Sequence, residues 1–176
     1  MKNNPRAVLR HGAQLESGSE AVRDVILLDT SAVFYLVEGH GSRKSVVAGF
    51  IEAARAGRIG LCVSSILWLE VLAAARGSTE QEYRRFLADS RLVVTHIVDV
   101  AVAEEAGRLR RLHGLGLADA VHIATARLWK ADGILGNDSA WRSCPECPPV
   151  HLVDELASLD AQTFESWFTD ARMSFG

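Results

Sequence analysis

The chain has 176 residues, of which 48% are hydrophobic and 23% charged, and its formal net charge is -3. This length suits one domain with a substantial core, and the composition argues against overall disorder. The near-neutral charge excludes a polycation, so any contact with nucleic acid must come from a local basic patch. No apolar run approaches the roughly 20 residues that span a bilayer, so we expect no membrane segment.

The N-terminal residues and the cysteines indicate where the protein resides. Residues 1–24 are polar and unpatterned, without the apolar stretch of a secretory signal, and we interpret them as a flexible leader. The three cysteines are an odd number and do not suggest a disulfide framework. We therefore expect a reducing, cytoplasmic location.

Predicted strands and helices alternate from residue 25 onwards. The apolar run Val25–Leu28 predicts a buried parallel strand, and Thr30 and Ser31 are candidate caps for a short helix that ends at Val37. The further predicted strands cover 59–63, 92–98, 134–135 and 150–153. The further predicted helices cover 42–56 with Ser42 as its cap, 64–75, 78–88 with Ser78 or Thr79 at its start, 100–112 and 117–129. This order predicts an α/β domain over 25–153, with a mostly parallel sheet flanked by helices on both faces.

The C-terminal residues 154–176 are predicted to form a helical tail. Phe164, Trp167, Phe168 and Ala171 follow the spacing i, i+3, i+4, i+7, which is typical of one apolar helix face.

Four acidic residues stand at ends of these predicted elements. Asp29 and Asp138 follow strand-like runs, whereas Glu70 and Asp119 lie near the starts of helix-like segments. Strand C-termini and helix N-termini meet at one edge of an open α/β sheet, which is where ligands bind. The set therefore predicts an acidic cluster at that edge.

Each acidic residue also has an ordinary structural interpretation. Asp29 suits a helix N-cap, Asp119 suits a first helical turn, and Asp138 suits an Asx turn. Glu70 could lie on an exposed stripe, although its helical neighbours are apolar or small. Four such coincidences at one edge are harder to explain by capping alone.

Gathered carboxylates repel one another unless a divalent cation neutralises them. Oxygen ligands favour Mg²⁺ or Mn²⁺ over Zn²⁺. Such an ion activates water and polarises a phosphodiester, so the pattern predicts phosphodiester hydrolysis.

The motifs around these residues resemble the PIN domain, and within it the VapC toxins of bacterial and archaeal toxin–antitoxin pairs. The resemblance spans about residues 25–153 and is carried by LLDTSAVFYL around Asp29, SSILWLEVLAA around Glu70, LADAVHIATA around Asp119 and ILGNDSAW around Asp138. It implies that these four residues bind Mg²⁺ or Mn²⁺ and cleave RNA. Similar proteins usually have Thr before Asn137, whereas this chain has Gly136, which lacks a hydroxyl that could orient a carboxylate or water.

The resemblance also implies a cognate antitoxin that holds the enzyme inactive, and a homodimer. Two alternatives stay open: a PIN-domain nuclease of RNA processing or repair that has no antitoxin, and a non-catalytic module whose acidic pocket receives a partner's basic side chain.

Further residues are candidates for supporting roles. Thr30, Ser31 and Asn137 are candidates for positioning a ligand or the substrate. His122 lies one helical turn after Asp119 and either orients a carboxylate or, as we prefer, packs as a satisfied core histidine. The basic cluster before Asp119 could hold RNA phosphates, although solvated helix faces explain most such clusters; it consists of Arg108, Arg110 and Arg111.

Overall fold

Five parallel strands form the sheet in the part of the chain that the structure, a computed structural model, describes: residues 23–160, 163, 164 and 166. The strands are β1 (Val25–Leu28), β2 (Gly60–Ser64), β3 (Val93–His96), β4 (Gly133–Gly136) and β5 (Val150–Leu152). Their order is β3-β2-β1-β4-β5, and every neighbouring pair is parallel. The central strand is β1, so the residue that follows it leaves from the middle of the sheet.

Helices connect the strands and cover both faces of the sheet, as predicted. They are α1 (Thr30–Val37), α2 (Gly41–Arg55), α3 (Ser65–Ala74), α4 (Ser78–Leu87), α5 (Val100–His113), α6 (Leu117–Leu128) and α7 (Val153–Leu156), with a 3₁₀ helix at Ser139–Ser143. No helix within the described residues has the length and apolarity to cross a membrane.

Two apolar clusters pack on opposite faces of the sheet because successive strand side chains alternate. Ile26 and Leu28 point into the cluster that contains Phe50, whereas Leu27 points into the other cluster with Ile123. All of these side chains are fully buried. The alternation explains why the apolar run of β1 is continuous rather than interrupted by polar residues.

Two predicted helix caps are wrong, at α1 and α2. The cap of α1 is Asp29 rather than Thr30 or Ser31, since the Asp29 side chain accepts from the Ser31 amide. Helix α2 begins at Gly41 after His40, without a side-chain cap, so Ser42 lies inside the helix. Helix α4 begins at Ser78, as predicted, and follows Gly77, whose φ of 57° is a conformation that glycine adopts easily. The predicted cap of α3 does form, because the Ser64 hydroxyl accepts from the Ile66 amide at 3.5 Å.

The chain beyond β5 continues directly into the domain. Helix α7 starts at Val153 and therefore crosses the predicted boundary between residues 153 and 154. Leu156 is buried and Phe164 packs against the same apolar cluster as Phe50. The predicted tail residues Trp167, Phe168 and Ala171, and residues 1–22 of the predicted leader, lie outside the described residues.

Candidate active site

Asp29 stands where the central strand meets α1. Its backbone amide donates to the Leu135 carbonyl at 2.9 Å, which extends the contact between β1 and β4 by one residue. Its Oδ2 accepts from the Ser31 amide at 3.2 Å and from the Ser31 hydroxyl at 2.6 Å. Only 8% of Asp29 is exposed. Burial of a carboxylate this deep is tolerated because these donors satisfy one oxygen and leave the other available.

Gly136 is required by the packing around Asp29. A Cβ at position 136 would lie 2.9 Å from Asp29 Cβ, closer than real Cβ contacts allow, and 3.0 Å from Asp29 Oδ2. The absence of a Thr side chain at position 136 therefore changes the space around Asp29 rather than that around Asp138. In this chain the Ser31 hydroxyl supplies a donor to Asp29.

Glu70 is held by two side chains from other helices. Thr30 Oγ1 donates to Glu70 Oε2 at 2.6 Å, and His122 Nε2 lies 2.9 Å from the same oxygen. Burial raises the pKa of Glu70, but the hydrogen bonds from His122 and Thr30 outweigh it, so the pKa lies below its ordinary value. Glu70 is thus kept ionised in a half-buried position.

His122 is both a core residue and a neighbour of the acids. Its side chain is 1% exposed, and its Nε2 lies 4.0 Å from Asp29 Oδ1 as well as next to Glu70. Its Nδ1 is buried without a hydrogen-bond partner among the described residues. The Nε2–H is therefore the group that faces the acids, and it orients Glu70.

Asp119 lies in the first turn of α6 and folds back over the glycine that precedes the helix. Its Oδ2 would be 2.5 Å from a Cβ at Gly116, so a side chain at position 116 would displace the Asp119 carboxylate from this position. Burial raises the pKa of Asp119, and the charges of Asp138, Asp29 and Glu70 raise it further. The other three predicted acids therefore lie near enough to Asp119 for their negative charges to act on it.

Asp138 is exposed and caps the 3₁₀ helix, since its Oδ1 accepts from the Ala140 amide at 2.8 Å. The capping interpretation and the acidic cluster are thus compatible for Asp138, as they are for Asp29. The neighbouring Asn137 turns away and bonds to Tyr35 and Asp154, so it can influence a ligand only through Asp138.

The three arginines of the basic cluster differ in their surroundings. Arg108 pairs with Glu105 at 2.8 Å and with Glu146 at 2.5 Å, and these carboxylates raise its pKa. Its charge is therefore neutralised within the protein rather than offered to RNA. Arg110 donates to the Leu115 carbonyl at 3.1 Å, and Arg111 is exposed.

A family model for the PIN domain matches residues 26–144, which is more than half of the chain. The chain belongs to the PIN domain family. PIN domains are nucleases, so membership of the family supports hydrolase activity for this chain. No curated protein matches the chain.

Solved structures share the PIN fold with this chain. A toxin–antitoxin complex from Klebsiella pneumoniae is 24% identical with a TM-score of 0.58, over 73% of this chain and 97% of that one. VapBC2 from Rickettsia felis, bound to a DNA fragment from its promoter, is 17% identical with a TM-score of 0.59, over 73% and 98%. FitAcB from Neisseria gonorrhoeae is 18% identical with a TM-score of 0.54, over 73% and 97%. At these identities the likeness shows the fold alone.

The donor set of this PIN domain fits a hard divalent cation. The four acids offer only oxygen. After burial, the charges of the other three acids raise the pKa of Asp119, and a positive charge there would offset their repulsion. As placed, no three His, Cys, Asp or Glu side chains of the described chain lie close enough to ligate one ion. An ion would therefore have to draw the carboxylates together.

Sequence reasoning missed three features of the site. It did not foresee that Gly116 and Gly136 leave room for Asp119 and Asp29, or that Asp154 binds Asn137. The glycine three residues before Asp119 was the only local signal. The other two contacts join segments that are distant in sequence.

Proposed function

We propose that this PIN domain is an Mg²⁺- or Mn²⁺-dependent endoribonuclease that hydrolyses RNA phosphodiester bonds. The observation that carries the proposal is the electrostatic coupling of Asp119 to the three other acids at the carboxyl edge of the sheet. Carboxylates placed this close together repel one another and destabilise the fold unless a cation neutralises them.

The residues divide into those that would hold the ion and those that position them. Asp29, Glu70, Asp119 and Asp138 are the proposed ligands. When bound, the ion supplies a water of lowered pKa and polarises the phosphodiester. The neighbours keep two ligands in place: Ser31 holds Asp29, while Thr30 and His122 hold Glu70.

We further propose that the protein is the toxin of a toxin–antitoxin pair and acts on RNA in the cytoplasm. Support comes from the three similar structures, which are a toxin–antitoxin complex, VapBC2 and FitAcB. The proposed partners are therefore a cognate antitoxin and a second copy of the chain. Exposed apolar side chains offer a surface for such contacts; Leu69 is 68% exposed, and Ile97 and Val100 are each 73% exposed.

The deciding experiment is cleavage of total cellular RNA by the purified protein with Mn²⁺ and with EDTA. We expect new RNA ends only with metal, and none from Asp29→Asn or Asp119→Asn. Glu104→Gln is the matched control, because it removes one carboxylate from the exposed surface of α5 and should cleave normally.

Two results would contradict the proposal. Cleavage that survives EDTA would show that the reaction needs no metal. Equal cleavage by Asp119→Asn would show that the acidic cluster does not carry the reaction. A protein that neither binds Mn²⁺ nor cuts RNA would favour the non-catalytic module. If the protein cleaves RNA but its expression does not arrest the growth of the host cells, a nuclease that needs no antitoxin would be favoured.

A further inference from the structure

A closed ring of four side chains lies beside the acidic cluster. It joins α1, α2, the turn after β4 and α7, which are far apart in sequence. In order around the ring, the members are Tyr35, Asn137, Asp154 and Arg43.

The central contact of the ring is a reciprocal pair between Asn137 and Asp154. Asn137 Nδ2 donates to Asp154 Oδ2 at 3.0 Å, and the Asp154 backbone amide donates to Asn137 Oδ1 at 3.1 Å. Both ends of the Asn137 amide are therefore bound to one residue, which fixes its orientation. Such a pair holds the turn after β4 against the first turn of α7.

Two further side chains close the ring. Asn137 Nδ2 also donates to the Tyr35 hydroxyl at 3.2 Å, and Arg43 grips Asp154 through Nε at 2.5 Å and Nη2 at 3.1 Å. The Arg43 guanidinium lies over the Tyr35 ring, 5.2 Å from its centroid. Because Arg43 and Asp154 are about half exposed, their ion pair alone contributes little. The main structural effect of the ring is therefore to fix the position of the Asn137 side chain.

Asn137 connects two parts of the acidic cluster. It follows Gly136, whose backbone packs on Asp29, and it precedes Asp138. The side chain of Asp138 is in turn held by the Ala140 amide. If the Asn137 side chain becomes mobile, the Asp138 carboxylate is therefore the first of the four acids to change position.

We propose that Asp154 is a positioning residue that fixes Asn137, and through it the Asp138 carboxylate, for cation binding. The effect on the cation rests on the proposed function, whereas the effect on Asp138 placement does not. Partners that orient ligands in this way commonly change metal affinity 10–100-fold when they are removed.

The test compares Asp154→Ala with Glu155→Ala, its matched control. Glu155 is the next residue of α7, is also exposed to solvent and pairs with Arg142 instead of Asn137. Asp154→Asn is the conservative variant, because its side-chain oxygen can still accept from Asn137. Hydrogen exchange of the segment that contains the Ala140 amide reports on Asp138, and Mn²⁺ calorimetry reports on the ion.

We expect Asp154→Ala to speed exchange in that segment at least several-fold and to weaken Mn²⁺ binding about 10-fold or more. Glu155→Ala should change both less than Asp154→Ala does, because it frees Arg142 of the 3₁₀ helix but leaves Asn137 bound, and Asp154→Asn should recover most of both. Unchanged exchange in a folded Asp154→Ala protein would overturn the proposal. Normal Mn²⁺ affinity despite faster exchange would overturn its link to the cation. If the unmodified protein binds no Mn²⁺, the proposed function fails, and exchange alone decides the role of Asp154.

Discussion

Replacement of Gly136 by alanine tests whether the packing of β4 places Asp29. The new Cβ would meet Asp29 Cβ at 2.9 Å, about 0.5 Å short of the 3.4 Å at which ordinary contact begins. Both atoms are fixed close to the backbone, so the strand or Asp29 must shift. Overpacking of this kind costs about 2 kcal/mol. In a chain of 176 residues that lowers the melting temperature by roughly 4–8 °C.

The same shift should slow RNA cleavage by about tenfold or more, because a displacement near 1 Å costs on the order of 100-fold. The assay measures cleavage of an RNA pool at saturating Mn²⁺, together with thermal melting. Two glycines provide controls. A Cβ at Gly60 meets its nearest neighbour at an ordinary 3.4 Å, so Gly60→Ala should cleave normally.

Gly133 is the second control, since it lies on the same strand as Gly136 but away from Asp29. A Cβ there would meet His151 Nε2 at 2.8 Å, which should lower stability without slowing cleavage. If Gly136→Ala cleaves RNA at the normal rate and melts at the normal temperature, the proposed dependence of Asp29 on β4 packing is wrong. If Gly133→Ala slows cleavage equally, the effect reflects stability rather than the position of Asp29.

Three further changes test the remaining parts of the site. The raised pKa of Asp119 means that its ionisation destabilises the metal-free fold. The free energy of unfolding should fall as the pH rises from 3.8, the ordinary pKa of Asp119, through its raised pKa in the folded protein. Thermal melts at pH 4 and pH 7 without metal should show this fall, and Asp119→Asn should abolish it. Thr30→Val keeps the shape but removes the donor to Glu70, so calorimetry should show about tenfold weaker Mn²⁺ binding with the fold intact. Arg108→Ala should lower the melting temperature more than Arg111→Ala does, because Arg108 links two carboxylates; equal effects would contradict its structural role.

Local sequence signals were enough to predict the sheet and the general location of the acids. The apolar run before Asp29 predicted a buried strand, and the apolar repeat after Asp119 predicted a helix. Both elements formed within a residue or two of their predicted bounds. Parallel order then followed from the alternation of strands and helices, and with it the shared edge.

The details that the sequence did not reveal depend on which elements become neighbours. β1 lies beside β4, which puts Gly136 against Asp29, and no local pattern encodes that adjacency. Likewise, His122 meets Glu70 only because α6 packs against α3. The cap at Ser42 was predicted from residue preference, but Gly41, with a φ of 64°, lets α2 begin one residue earlier.

The double duty of Asp29 limits how an inactive form of the protein can be prepared. The same carboxylate that would ligate a cation also begins α1, the helix that delivers Thr30 to Glu70. Alanine at this position would remove both the proposed metal ligand and a helix N-cap that contributes about 1 kcal/mol. Loss of activity from the missing ligand could then not be distinguished from loss of activity through fraying of α1. Asparagine keeps the helix start while discarding the charge, and it is the substitution suited to trapping intact substrate or a bound partner.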